Sequence, residues 1–175
     1  MKAIFLDNDG VMCLSDQWGT RDKKIKKWKM KNDCPSGGDY KNHDIPASVR
    51  MDSFDIKAVK VLNSILEETD AEIVVSSDWK LHCTLDELKQ MFSDYGVIKQ
   101  PIAVTPNHVL KSMDELESTR VAEINDWLSL HPEVEKWVAI DDLDLSALES
   151  FVHTKKMNQG IKQSGIKEKI LKHLK

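Results

Sequence analysis

Lys2-Ala3-Ile4-Phe5-Leu6-Asp7-Asn8-Asp9-Gly10-Val11 is the stretch on which the reading of this chain turns. Residues 2–6 are apolar after the first and read as a short buried strand, stopped by an acidic segment that contains a glycine. On an extended segment, residues i and i+2 project to the same side, so Asp7 and Asp9 can face one ligand. Gly10 then allows the chain to depart sharply. A lone Asp-x-Asp-Gly string is often a turn; at the end of a buried strand it becomes a candidate site.

The same pattern recurs along the chain. Glu72-Ile73-Val74-Val75-Ser76 is β-branched and ends in hydroxyls, Ile102-Ala103-Val104 ends at Thr105-Pro106, and Trp137-Val138-Ala139-Ile140 runs straight into Asp141-Asp142. A further short strand is expected near 150–154. Between these runs, apolar residues fall at helical spacing over 55–68 (Ala58, Val59, Leu62, Ile65, Leu66), 84–95 (Leu85, Leu88, Met91, Phe92) and 118–130 (Val121, Ile124, Trp127, Leu128), and a basic helix is expected from about 165. Strands alternating with helices imply parallel pairing through right-handed crossovers, hence an α/β fold: a three-layer α/β/α sandwich with a mainly parallel central sheet. Such sheets bind ligands at the carboxyl ends of their strands. Three of those ends carry Asp7/Asp9, Ser76 and Asp141/Asp142.

Residues 12–50 read as irregular, polar and basic, punctuated by Pro35, Gly37, Gly38 and Pro46. This stretch is long for a plain loop and is expected to form a small cap or flap on a single domain spanning 1–175. Residues 21–31 hold seven bases and one acid, a local charge of +6 within a chain of net charge −4, which leaves −10 elsewhere. A basic stretch on an acidic body can attract a polyanion, although a solvated face is the plainer reading. Trp18 and Trp28 lie in the polar segment beside these bases, where aromatics interleaved with lysines can stack on nucleobases; Lys24, Lys27 and Trp28 are candidate substrate contacts.

At 175 residues, 41% hydrophobic and 31% charged, the composition is that of a globular protein with a sizeable core. No apolar run approaches the ~20 residues that span a bilayer. The first residues meet acid too soon for a signal peptide, so a cytoplasmic protein and no membrane partner are expected, with a monomer as the default. Cys13, Cys34 and Cys83 are odd in number and form no Cys-x-x-Cys pair, which points away from zinc and toward reduced thiols, with Cys13 a buried or loop thiol and not a nucleophile.

Four carboxylates at one sheet edge repel, and several would be driven to protonate. A divalent cation relieves that. Mg²⁺ takes hard oxygen ligands, typically one or two carboxylates shared with a substrate phosphate.

These residues resemble the haloacid dehalogenase (HAD) superfamily of phosphotransferases. Its first motif matches Ile4-Phe5-Leu6-Asp7-Asn8-Asp9-Gly10-Val11, its second Ile73-Val74-Val75-Ser76, and its fourth Val138-Ala139-Ile140-Asp141-Asp142. The third, a lone basic residue, is met by Arg120 at the start of a helix, with Lys80 and Lys111 as rivals. A closer likeness, carried by residues 73–79, 120–127 and 138–142 and by Gly160-Ile161, is to HAD domains associated with RNA-repair proteins. The resemblance implies that Asp7 attacks phosphorus to form an aspartyl-phosphate and that Asp9 serves as general acid and then base. Ser76 and Arg120 would hold the phosphoryl oxygens, with Ser77 and Lys80 as nearby substrate contacts. It also implies Mg²⁺ held by the Asp7 side chain, the Asp9 carbonyl and one or both of Asp141 and Asp142.

Taken singly, Ser76 could be a helix cap, Arg120 an exposed helix residue, and Trp79, Trp127 and Trp137 core. His43, His82 and His108 show no ligand spacing. The expected function is a phosphomonoesterase acting on a nucleotide or polynucleotide end. The alternatives are a phosphatase of a small phosphorylated metabolite, or a non-catalytic module that binds nucleic acid through the basic stretch. A receiver domain is disfavoured, since it takes its phospho-accepting Asp from a middle strand and has no use for Asp9.

Overall fold

The computed structural model describes residues 1–32, 43–109 and 112–175. Cys34, Pro35, Gly37, Gly38 and Lys111 lie outside the described residues. Five strands form one all-parallel sheet in the order β3-β2-β1-β4-β5: β1 (Lys2–Leu6), β2 (Glu72–Val75), β3 (Ala103–Val104), β4 (Lys136–Asp141) and β5 (Phe151–His153). The fold is α/β, as the alternating pattern implies, and each apolar run read from the sequence falls on a strand. β1 is central, pairing with β2 from Ala3↔Glu72 to Leu6↔Val75 and with β4 from Lys2↔Lys136 to Leu6↔Ile140. These registers bring the ends of β1, β2 and β4 level.

Because side chains alternate across a strand, the sheet divides its apolar residues cleanly. Ile4, Leu6, Ile73, Val75, Val138 and Ile140 face one side, where they meet α3 (Ile56–Thr69), α4 (Leu85–Asp94) and α6 (Ile166–Leu174) through residues such as Leu62, Ile65, Met91, Phe92 and Ile170. Ala3, Phe5, Val74 and Ala139 face the other, against Ile124 and Trp127 of α5 (Leu116–Ser129) and Leu145 and Leu148. Phe5 stands edge-on to Trp127 at 5.4 Å and to Trp137 at 5.7 Å between ring centres. Trp79 stacks on Phe54 at 5.8 Å. All three tryptophans therefore belong to the core, in keeping with their apolar positions.

The segment between β1 and β2 departs from the irregular stretch read for 12–50. It contains a twelve-residue helix, α1 (Thr20–Lys31), and a single-turn helix, α2 (Ala47–Arg50). α1 buries none of its residues, so it lacks the apolar stripe that makes a helix visible in sequence. Asp52 fixes its start, accepting from the Arg21 backbone N–H at 2.9 Å and the Thr20 hydroxyl at 3.3 Å, in place of a capping side chain on Gly19. Arg50, fully buried, ties α2 to α4 through Glu87 at 2.5 Å and the His82 carbonyl at 3.1 Å. Among the described residues, no helix is long and apolar enough to cross a membrane.

Candidate active site

Asp7 directly follows β1 and Asp141 ends β4, so the sheet delivers their carboxylates, and that of Asp142, to one place. Ligand oxygens of Asp7, Asp141 and Asp142 all lie within 4.8 Å of one another. Gly10 makes the approach feasible: it sits at φ +69°, and a Cβ there would stand 2.5 Å from Asp142 Oδ2. Asp9 turns the other way. Its carboxylate lies outside the cluster and accepts from the Trp79 indole N–H at 2.7 Å.

Arg120, on the first turns of α5 and 3% exposed, is the cation of this group. Its Nη1 donates to Asp141 Oδ2 at 2.8 Å and to Asp7 Oδ1 at 3.1 Å, and its Nη2 to Asp78 Oδ1 at 2.8 Å. Lys80 is placed differently. All three of its ammonium hydrogens are taken by Glu123 at 2.5 Å, the Thr105 hydroxyl at 2.8 Å and the Pro106 carbonyl at 3.1 Å. It lies in a smaller recess beyond Arg120, of about 70 Å³, and acts as a buried strut between the β2 end and α5.

Asp7, Asp9, Ser77, Asp78, Arg120 and Asp142 line one recess of about 160 Å³. Ser77, rather than Ser76, reaches this surface, and its hydroxyl also accepts from the Trp79 backbone N–H at 3.4 Å. Ser76 is buried at the strand end, its N–H bonded to the Leu6 carbonyl.

The electrostatics follow from burial. Asp7 is pushed well above the usual carboxylate range by desolvation and by Asp141, with Arg120 opposing. Asp141 is also raised by burial, against the pull of Arg120, and Asp142 is raised by burial, with Asp9 adding to the shift. Protonated carboxyls are poor nucleophiles and poor ligands, so this array gains from a cation. Its donors are hard oxygens suited to Mg²⁺. Asp141 already accepts on both oxygens, from Arg120 and from the Leu143 N–H at 2.9 Å. Asp7 Oδ2 and the Asp142 carboxylate face no side-chain donor among the described residues, and the Asp9 carbonyl accepts no hydrogen bond there. Those three groups fit a cation best, with Asp141 holding the guanidinium beside it.

Asp9 is raised by burial, against the Trp79 hydrogen bond that lowers it. The Cys13 thiol is pushed far up by burial and by Asp9, which leaves it an inert neighbour.

The three candidate contacts on α1 do not reach this site. Lys24 turns back to the body of the protein, donating to the Ser48 carbonyl at 2.8 Å and the Tyr95 hydroxyl at 3.0 Å. Lys27 is exposed and Trp28 half-buried, and neither lines a recess at Asp9. Trp18 and Arg21, at the start of the segment, do. Trp79 was legible only as core; nothing in the sequence marks the N–H that it offers to Asp9.

A parallel sheet with aspartates closing its first and fourth strands, and a basic residue on the helix before the fourth, defines a HAD-type Rossmannoid fold. The chain belongs to the family described as the HAD domain in Swiss Army Knife RNA repair proteins, whose model matches residues 3–164. No curated protein and no solved structure matches it.

Proposed function

We propose that this chain is a Mg²⁺-dependent phosphomonoesterase that works through an aspartyl-phosphate on Asp7 and acts on a nucleotide or polynucleotide terminal phosphate. One observation carries the reading: a single recess presents a carboxylate held by a buried guanidinium, and, separately, a second carboxylate held by an indole N–H. Family membership supports phosphatase chemistry, and the RNA-repair description of that family supports the substrate class.

In the first step the Asp7 carboxylate attacks phosphorus and the bond to the leaving oxygen breaks. That oxygen takes the proton of Asp9, whose raised pKa favours the acid form. In the second step the Asp9 carboxylate takes a proton from water as the water oxygen attacks phosphorus. The bond to Asp7 breaks, releasing inorganic phosphate and restoring the Asp7 carboxylate and the protonated Asp9. Arg120 keeps Asp7 aligned and, through Nε and its remaining Nη2 hydrogen, offers donors to the equatorial oxygens; Ser77 offers another. A bound Mg²⁺ would neutralise Asp7, Asp142 and the phosphate oxygens together.

The test is inorganic phosphate release, with and without Mg²⁺, from 3′- and 5′-phosphorylated oligonucleotides, mononucleotides and sugar phosphates. Asp7→Asn should lower release by at least about a thousandfold while leaving the fold intact. Release that survives Asp7→Asn would sink the mechanism. Release confined to sugar phosphates would sink the substrate class.

A further inference from the structure

Asp9 and Asp142 line a second, wider cleft of about 460 Å³, whose other walls include Trp18, Arg21, Asp52 and Met157. The two recesses thus meet at the proposed general acid. The smaller one holds Asp7, Arg120 and Ser77, the groups suited to a phosphoryl group and its cation. The wider one shares Asp9 and Asp142 with it, so a substrate whose phosphoryl group sits in the smaller recess has its leaving group beside the wider one.

The walls of that cleft are chemically specific. Trp18 is 49% exposed and Met157 43%, two large apolar side chains facing solvent across one opening. The segment leading to Trp18 is tied to Met157, since the Ser15 N–H donates to the Met157 carbonyl at 3.0 Å. An exposed indole opposite a thioether suits a flat, weakly charged ring. The carboxyl groups of Asp9, Asp52 and Asp142 at the rim favour a ligand that carries N–H or O–H donors. Arg21 is engaged with Asp52 at 3.7 Å, which leaves the indole as the principal surface of contact. The volume falls in the range of small-molecule sites.

We propose that this cleft is the leaving-group subsite and that it takes a nucleoside, with its base stacked on Trp18 against Met157. The proposal rests on the phosphatase reading for the orientation of the substrate, but not for its binding test. Base–aromatic stacking is sequence-tolerant, so any base would be accepted.

The experiment compares kcat/KM for nucleoside monophosphates, ribose 5-phosphate and phosphotyrosine in the full chain and in Trp18→Ala and Trp18→Phe. The ratio of nucleotide to ribose phosphate should fall about 10- to 100-fold in Trp18→Ala and less in Trp18→Phe. An unchanged ratio would overturn the subsite, and so would a preference for phosphotyrosine with the same Trp18 dependence. Should no substrate turn over, quenching of tryptophan fluorescence by nucleoside monophosphates decides independently. Quenching lost in Trp18→Phe supports the subsite while the phosphatase reading falls, and quenching that is equal in both proteins, or absent from both, overturns it.

Discussion

The acidic recess and the basic helix α1 are held in place by opposite means. Asp7 and Asp141 continue strands whose apolar residues are almost completely buried, and Arg120 is locked among three carboxylates. α1 has no fully buried residue and is held by polar tethers: Asp52 at its start, and Lys24 reaching Ser48 and Tyr95. A carboxylate at the end of a buried strand cannot shift without the sheet. A helix on tethers can shift while exposing little apolar surface. Buried packing is concentrated where like charges must be kept in a fixed array, and polar contacts hold the segment bordering the wider cleft.

Six substitutions test that contrast, beginning with the largest expected effect. Arg120→Met leaves Asp7 and Asp141 without their counter-charge, so it should destabilise the fold by about 3–5 kcal/mol in urea melts and abolish phosphate release. Arg120→Lys keeps the charge but not the planar fork, and should retain more stability than activity. Full stability in Arg120→Met would break the comparison. Gly160→Ala probes the scaffold beneath the recess: at φ +52° a Cβ would stand 2.2 Å from the Val11 carbonyl oxygen, so a loss of about 1–3 kcal/mol is expected. Trp79→Phe keeps a ring against Phe54 and removes only the N–H to Asp9. It should lower kcat about tenfold with KM held, in steady-state kinetics; a change in KM alone would show that Asp9 is positioned by other groups. Lys24→Met should cost about 1 kcal/mol in thermal or urea unfolding through its two lost hydrogen bonds, whereas Lys27→Met should cost nothing measurable. Equal effects at the two positions would mean that α1 is not tethered through Lys24.

The same contrast explains what could be read in advance. β1, β2 and β4 were legible because a strand buried on both faces must be continuously apolar, and the gathering of Asp7, Asp141 and Asp142 was legible because they fall at the ends of two such runs that pair. α1 was not, since its helix depends on Asp52 and Tyr95, distant residues that leave no periodic mark on 20–31. Lys80 looked like a substrate contact until Glu123, far along the chain, claimed its charge. Ser76 and Ser77 differ by one position past a strand end, and only the turn into residues 78–81 decides which of them faces the recess. Arg50, wholly buried in a segment read as irregular, shows the same limit: its partners Glu87 and His82 become neighbours only on folding.

The central position of β1 also bears on the order in which the chain can acquire structure during synthesis. β1 emerges first, but only β2 is available to it early; its other edge stays open until β4 has been made. Throughout that interval a growing chain displays an unpaired hydrophobic strand, the kind of edge that recruits wrong partners and chaperones. Asp7 likewise waits for Arg120, Asp141 and Asp142, all encoded in the last third of the chain. A ribosome stalled before that point would hold Asp7 with neither its counter-charge nor the neighbouring carboxylates, and such fragments should be prone to aggregate.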